Sequence, residues 1–529
     1  MLFRSPESRT VFNGCEFVDF PPDLPAVVVG ANAVCILHES NIKSSVVFRA
    51  NSSGMVRKGK VINPNTKKSS GIIIQDSAKV LVHGVEITMC QSAGVLIEAG
   101  GIAVIQKCNI NNISSSFGDG IGIVAKGAKN FVVDDSIIEK NNTAIRVAQG
   151  SKGSMYKTRI TGCVAPPQSK QDTRQRRPPA VQIETSSCLT LNNCMIYKNP
   201  TEAITIFHKG RNPAEMATVT INSTEISENG SIAIRAAMQS KVILEKSVIT
   251  KNTNGGIYLG EGCVLETTQS TISGNGHAVN IHATATSRIN AKTTVFSQSP
   301  ANSVDMNQQS AAVFTGCLFV NNGSSSEMGV SQQGNSSLSL KDSASAQISN
   351  CKFQRNDRGI TMSDQAQLVV FDGTLFQETK GPAFNITDSA GLRIAQTTIE
   401  HSMMGIRALK SAIFEISNTT FLETSSNAIF VDGPSVSGTC TGDRFICCGK
   451  EGENREVNVM MNGGKIDFQS CSFISRRPDK RTEGCDVFMS GRKQSQNGVK
   501  ARNGSQLTFL DCTFGDIRNN GIDISGRSS

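Results

Sequence analysis

The 529-residue chain has no tryptophan and only three tyrosines. Rigid aromatic platforms on which sugar rings could stack are therefore scarce, which weakens a carbohydrate-binding reading. No apolar run approaches the ~18 residues needed to cross a bilayer. The opening segment, MLFRSPESRT, lacks the apolar stretch of a signal peptide. Six histidines (His38, His83, His208, His277, His282, His401) stand without Asp, Ser or Cys partners at a triad-like spacing. The net charge of +9 is spread over a long surface and is a mild bias, not a nucleic-acid signature.

What the chain has is repetition. Between Ala203 and Asn302 the sequence says nearly the same thing four times: AITIFHKGRNPAEMATVTINSTEISENGS, IAIRAAMQSKVILEKSVITKNTNG, GIYLGEGCVLETTQSTISGNGH and AVNIHATATSRINAKTTVFSQSPANS. The period is roughly 22–26 residues apart from inserted loops, which marks a solenoid. Within each row apolar residues alternate with a spacing of two, as in Ile204 and Ile206 or Val219 and Ile221. No row has room for a crossover helix, so a doubly wound sheet is excluded. The spacing predicts an all-β fold: a single-stranded, right-handed parallel β-helix solenoid of short strands, roughly 22–26 residues per coil.

Two columns recur. Two residues before a conserved-in-register Ile or Phe stands a small residue: Cys15, Cys108, Ser136, Thr158, Cys194, Thr224, Ser247, Ser270, Cys317, Cys351, Thr374, Thr397, Thr419, Cys471 and Cys512. An inward slot of fixed size accounts for it. Three residues after the Ile or Phe stand Asn141, Asn199, Asn229, Asn252, Asn275, Asn322 and Asn356, then Thr379, Ser402 and Thr424. Asn tolerates a left-handed backbone at a tight turn, and stacked amides can bond in a ladder. Seven of the sixteen cysteines fall in the small-residue column, interchangeable with Ser and Thr. A disulfide framework would not tolerate that exchange, so they read as buried small hydrophobes, and a reducing, intracellular location (cytoplasm or nucleus) is expected.

Residues 1–529 read as one continuous parallel β-helix. It is punctuated by a basic, Pro-flanked insertion at 164–179, a loose Ser/Gln-rich segment at 322–346, and irregular coils with long basic loops at 433–529. Residues 49–70 read as a basic, polar bulge with Arg57, Lys58, Lys60, Lys67 and Lys68. Both ends fall inside a coil, so the chain is expected to be part of a longer one or to have its ends covered by partners.

The repeat resembles that of the pectate-lyase-like superfamily, whose repeats are also described as carbohydrate-binding and sugar-hydrolysis repeats. That resemblance implies an enzyme acting on acidic polysaccharides, either a lyase or a glycoside hydrolase. Its hydrolase motifs have only partial counterparts, Asp134-Asp135 in FVVDDSIIE and Gly276-His277 in NGHAVNI, and the Asp-Pro-His motif of uronate epimerases is absent. The outward row of the first strand reads Arg146, Gln182, Thr205, Ala233, Tyr258, Asn280, Asp305, Thr361, Asn385, Arg407, Phe430 and Asn458, without the run of acids that calcium-assisted lyases need. In style the repeat is also similar to the β-helix regions of intracellular F-box and SHC-binding adaptor proteins, which implies a surface for a protein partner. Cys440, Cys447, Cys448 and Cys485 lack paired metal-binding spacing, so no metal and no cofactor are expected.

These readings converge on a non-enzymatic scaffold for a protein partner, acidic or phosphorylated, with nucleic acid ranked low because the basic loops carry no aromatic residues. The candidate partner-binding residues are Lys170, Arg174, Arg176 and Arg177 in one loop and Arg476, Arg477, Lys480 and Arg481 in another.

Overall fold

The computed structural model describes residues 2–3, 8–21, 24–30, 32–64, 69–114, 120–164, 177–208, 216–276, 279–323, 335–448, 457–474, 497–515 and 522–525. Every described element is a short strand, and no helix occurs among the described residues. The chain divides into two compact units, Met1–Thr271 and Ile272–Ser529. Each is a stack of coils in which strands pair in parallel with the equivalent strands of the next coil, as expected for a parallel β-helix.

In the first unit a coil contributes a first strand such as Thr143–Ala148, a second such as Lys152–Tyr156, and a third such as Arg159–Thr161. Two early coils differ. Ser53–Ile62 and Lys79–Thr88 are ten-residue strands that supply the second and third positions without a break. The basic stretch around Arg57, Lys58 and Lys60 is therefore regular coil and not a bulge. Its cations lie between Val56 and Val61, which are buried, with Lys58 at a left-handed corner, so the inward positions were hidden under charge. Lys67 and Lys68 lie outside the described residues. The third strands stack one residue type: Ile87, Ile110, Ile138, Ile160, Ile196, Ile226 and Ile249 follow one another in register, all fully buried.

In the second unit the same column is aromatic at all but one of the positions Phe296, Phe319, Phe353, Phe376, Ile399, Phe421, Phe445 and Phe473. Rings on adjacent coils stack face to face, 4.5 Å apart for Phe319–Phe353 and for Phe353–Phe376. That separation nearly equals the ~4.8 Å rise between parallel strands, so the backbone repeat sets the ring contact. Ser336–Leu340, inside the polar 322–346 segment, is a strand with all five residues buried. Serine fits there because its hydroxyl finds a partner, as Ser337 Oγ does at the Arg358 carbonyl.

Corners repeat as strictly as strands. The residue just before the small-residue column has positive φ, as at Lys107, Asp135, Lys157, Asn193, Ser223 and Lys246. So does the residue just before the Asn column: Lys140, Lys198, Glu228, Lys251, Asn321 and Arg355. The left-handed residue is thus the neighbour of the column Asn, which corrects the expectation that Asn itself supplies the turn. The strain of these non-glycine corners is offset by stacking: the N–H of Lys157 donates to the Asn192 carbonyl of the next coil at 3.0 Å.

Candidate functional site

The two columns are internal. Asn141, Asn199, Asn229, Asn252, Asn275, Asn322 and Asn356 are all buried. Asn199 donates from both its backbone N–H and its side-chain amide to Oδ1 of Asn229, at 3.2 and 2.9 Å. Asn229 repeats this toward Asn252, at 3.2 and 2.8 Å. In the second unit Asn322 does so toward Asn356. The expected amide ladder is present, and it is structural. The small-residue column is a ladder too. The N–H of Cys194 donates to the Thr224 hydroxyl, that of Thr224 to the Ser247 hydroxyl, and that of Ser247 to the Ser270 hydroxyl. Each hydroxyl donates in turn to the carbonyl two residues back, as Ser247 does to Glu245 at 2.7 Å. Slot size alone is therefore not the rule; the side chain must also accept and donate. Cys317 and Cys351 keep the pattern with sulfur.

Several buried thiols are kept protonated by their environment. Burial pushes Cys108 up to about 11, and Cys163 and Cys471 up to about 12. Cys440 faces the core from a second strand, whereas Cys448 fills the Asn-column slot, its sulfur against the Phe421 carbonyl. These two cysteines serve different columns. Cys485 lies outside the described residues.

Function must be sought on the outward faces. In the first unit the first-strand register runs Arg146, Gln182, Thr205, Arg235, Tyr258. Ala233 is fully buried, so the outward residue of that coil is Arg235. Arg146 Nε lies 2.6 Å from Glu184 Oε1, which also accepts from Gln182 at 3.1 Å. Arg235 Nε lies 3.1 Å from Glu202 Oε1 and stacks 5.1 Å from the centre of the Tyr258 ring. A shallow depression beside them is lined by Gln149, Gly150, Glu184, Thr185 and Ser186.

In the second unit the outward register is His282, Asp305, Ser339, Thr361, Asn385, Arg407, Phe430, Met460, Lys500 and Asp523. Asn280 and Asn458 are buried, and the outward positions are His282 and Met460. The sequence row was two residues early in these coils, since positions two apart share the strand alternation. Burial alone would raise the Asp305 carboxyl, but His282 Nδ1 at 3.2 Å and Lys341 Nζ at 3.7 Å hold it below its ordinary value.

Two half-buried arginines on this unit bear on one coil. Arg407 Nη1 reaches back to Oδ1 of Asn385 on the preceding coil, at 3.5 Å. Arg358, one coil further back, lies flat across Gly381, where a Cβ would meet its Cγ at 3.0 Å. Both side chains thus bear on the same coil, Arg358 at Gly381 and Arg407 at Asn385. Burial, together with the nearby Arg407 charge, holds Arg358 below its ordinary value. The adjacent Asp357 is engaged by Lys380 Nζ at 3.3 Å. Among the described residues no carboxylate lies within ion-pair distance of either arginine, whereas Arg146, Arg235, Arg355 and Arg393 each have one.

The right-handed β-helix region profile matches residues 70–222, 213–339 and 336–529. The chain belongs to the right-handed β-helix region family. No curated protein matches this right-handed β-helix chain. Similar solved structures include the PL6 family alginate lyase AlyGC, at 9% identity and TM-score 0.30, covering 99% of this chain and 100% of that one. Another is PfbA, a surface adhesin of Streptococcus pneumoniae, at 11% identity and TM-score 0.27, covering 84% of each chain. Superpositions this loose decide nothing about activity.

Of the candidate partner-binding residues of this β-helix, Arg177 is described and exposed. Lys170, Arg174, Arg176, Arg476, Arg477, Lys480 and Arg481 lie outside the described residues, as does His277. The first basic insertion joins the third strand Arg159–Thr161 to the first strand Val181–Ile183, just past the Asn-column slot filled by Cys163. Asp134 ends a second strand and Asp135 is the left-handed corner after it, a structural role that any corner residue fills. Sequence reasoning missed the Arg358–Arg407 pair. Arg407 was legible as an outward residue, but Arg358 approaches it only because Gly381 of the next coil leaves room.

Proposed function

We propose that the chain is a non-enzymatic β-helix scaffold that presents a recognition surface to an acidic or phosphorylated protein segment. One observation carries this reading. On the outward first-strand faces the carboxylates Glu184, Glu202 and Asp305 are each held by a cation, while Arg358 and Arg407 have no carboxylate partner among the described residues. Carboxylates locked in ion pairs are poorly placed to trade protons with a substrate, whereas uncompensated arginines favour an anionic partner. Arg407 is followed in register by Phe430 and Met460, an apolar step that suits a peptide side chain better than a uniformly polar sugar chain.

The basic insertion with Lys170, Arg174, Arg176 and Arg177, and the later one with Arg476, Arg477, Lys480 and Arg481, would extend the same preference. The test has two arms. Acidic and phosphorylated peptides should bind the purified chain, and charge reversal at Arg174, Arg176 and Arg177 should weaken binding without changing the melting temperature. Release of unsaturated or reducing ends from a panel of polyuronates would overturn the scaffold reading in favour of a carbohydrate-active enzyme.

A further inference from the structure

We propose that Arg358 and Arg407 form a two-arginine clamp for a single oxyanion, seated over Pro382–Ile386 and supplied by a phosphorylated or acidic residue of the bound segment. The source of the anion rests on the scaffold reading; the clamp itself rests on geometry. Arg358 comes from one coil, Gly381 and Asn385 from the next, and Arg407 from the one after. Arg358 lies against Gly381 and Arg407 reaches back to Asn385, so both side chains bear on the coil between them. Asn385 accepts from Arg407 through Oδ1, which leaves its amide hydrogens as donors. The Thr361 hydroxyl, held by Ser336 Oγ, is beside Asn385 in register.

Two half-buried guanidinium groups with no carboxylate in ion-pair distance among the described residues repel one another, and the Asp357 charge beside Arg358 offsets this only in part. An oxyanion with two or more acceptor oxygens removes the repulsion and offers each planar fork a bidentate partner. Asp357 is shared with Lys380, whose Nζ lies 3.3 Å from it, and makes no ion pair with Arg358. The neighbouring outward steps discriminate among sources. Asn385 and Thr361 on one side are neutral, and Phe430 and Met460 on the other are apolar. One anion flanked by an apolar residue matches this better than a run of anions.

The experiment uses the full chain and inorganic phosphate as the first probe. Melting temperature is followed against phosphate at constant ionic strength, with chloride as the reference. The wild type should show a saturable rise, and Arg407→Gln should bind phosphate at least about tenfold more weakly, as expected for a lost charge-assisted pair. Arg393→Gln, on a second strand and paired with Glu415, should behave as wild type. Unliganded Arg407→Gln should melt no lower than wild type, since it removes a repulsion. Wild-type phosphate affinity in Arg407→Gln overturns the clamp. A second arm compares one peptide in phosphoserine, glutamate and serine forms. If phosphate binding needs Arg407 but the phosphoserine and glutamate forms bind no better than the serine form, the clamp stands and the scaffold reading falls. If the peptides bind wild type and Arg407→Gln alike, the clamp falls and the scaffold reading stands.

Discussion

The backbone N–H of Thr419 donates to Oδ1 of Asp443 at 2.8 Å, in the slot where neighbouring coils place a hydroxyl or a thiol. Asp443 is fully buried, and its other oxygen has no hydrogen-bond partner among the described residues. Burial raises this carboxyl from 3.8 to about 7, although the N–H groups of Thr419 and Thr441 pull the other way. The folded-state value lies above the unfolded one. The stability Asp443 allows is therefore complete below about pH 4 and is lost as pH rises through about 7. Its protonated form suits the slot; its charged form does not. Asp443→Thr restores the hydroxyl of the column. It should stabilise the chain at pH 8 by up to a few kcal/mol and make little difference at pH 4–5. Denaturant melts of both proteins across that range check this. A difference independent of pH would refute the assignment.

Asn229 is the middle rung of an amide ladder. Its Oδ1 takes two donors from Asn199, and its amide serves Asn252 and the Ile196 carbonyl. Asn229→Ala would strand several buried polar groups at once and should cost about 2–4 kcal/mol. Asn229→Thr should cost less, because Thr379 and Thr424 occupy the same column elsewhere. Equilibrium unfolding of the two variants ranks them.

Phe353 is sandwiched between Phe319 and Phe376, each 4.5 Å away and nearly parallel. Phe353→Ala opens a cavity between two rings and should cost about 3–5 kcal/mol. Phe353→Ile should be markedly milder, since Ile399 already stands in this column. Thermal melts distinguish this from a column in which any loss of the ring is equally harmful.

His208 is buried, and neither ring nitrogen has a hydrogen-bond partner among the described residues. An orphaned polar group in the interior is a standing cost, so His208→Leu should raise stability by on the order of 1 kcal/mol. A lower melting temperature would show that the imidazole has a role that its surroundings do not reveal.

Much of this molecule was readable along the chain because a solenoid makes tertiary contacts periodic in sequence. The Ile and Phe of the third strands, the Asn column and the small-residue column each occupy one position in every coil, and the stack places like on like. The reason for the small-residue column was not readable. Size explains Ser, Thr and Cys, but only the stacked N–H groups show that the slot also demands an acceptor. The same blindness hid Asp443, which stands two residues before Phe445 where the pattern calls for such a residue.

The sequence by itself determined the all-β class, the parallel coil and its period, and which residues form the core, because alternation and repeat length leave a short strand no other way to bury its apolar side. Tertiary structure alone decided which outward residues meet. Positions two residues apart share the strand alternation, and only burial separates them, so Arg235, His282 and Met460 replace the buried Ala233, Asn280 and Asn458 on the surface. Likewise Arg358 and Arg407 are distant in sequence and become neighbours only through Gly381 and the rise of the stack. Contact between side chains on different coils depends on register and on room for the backbone, and neither is a property of any single stretch of chain.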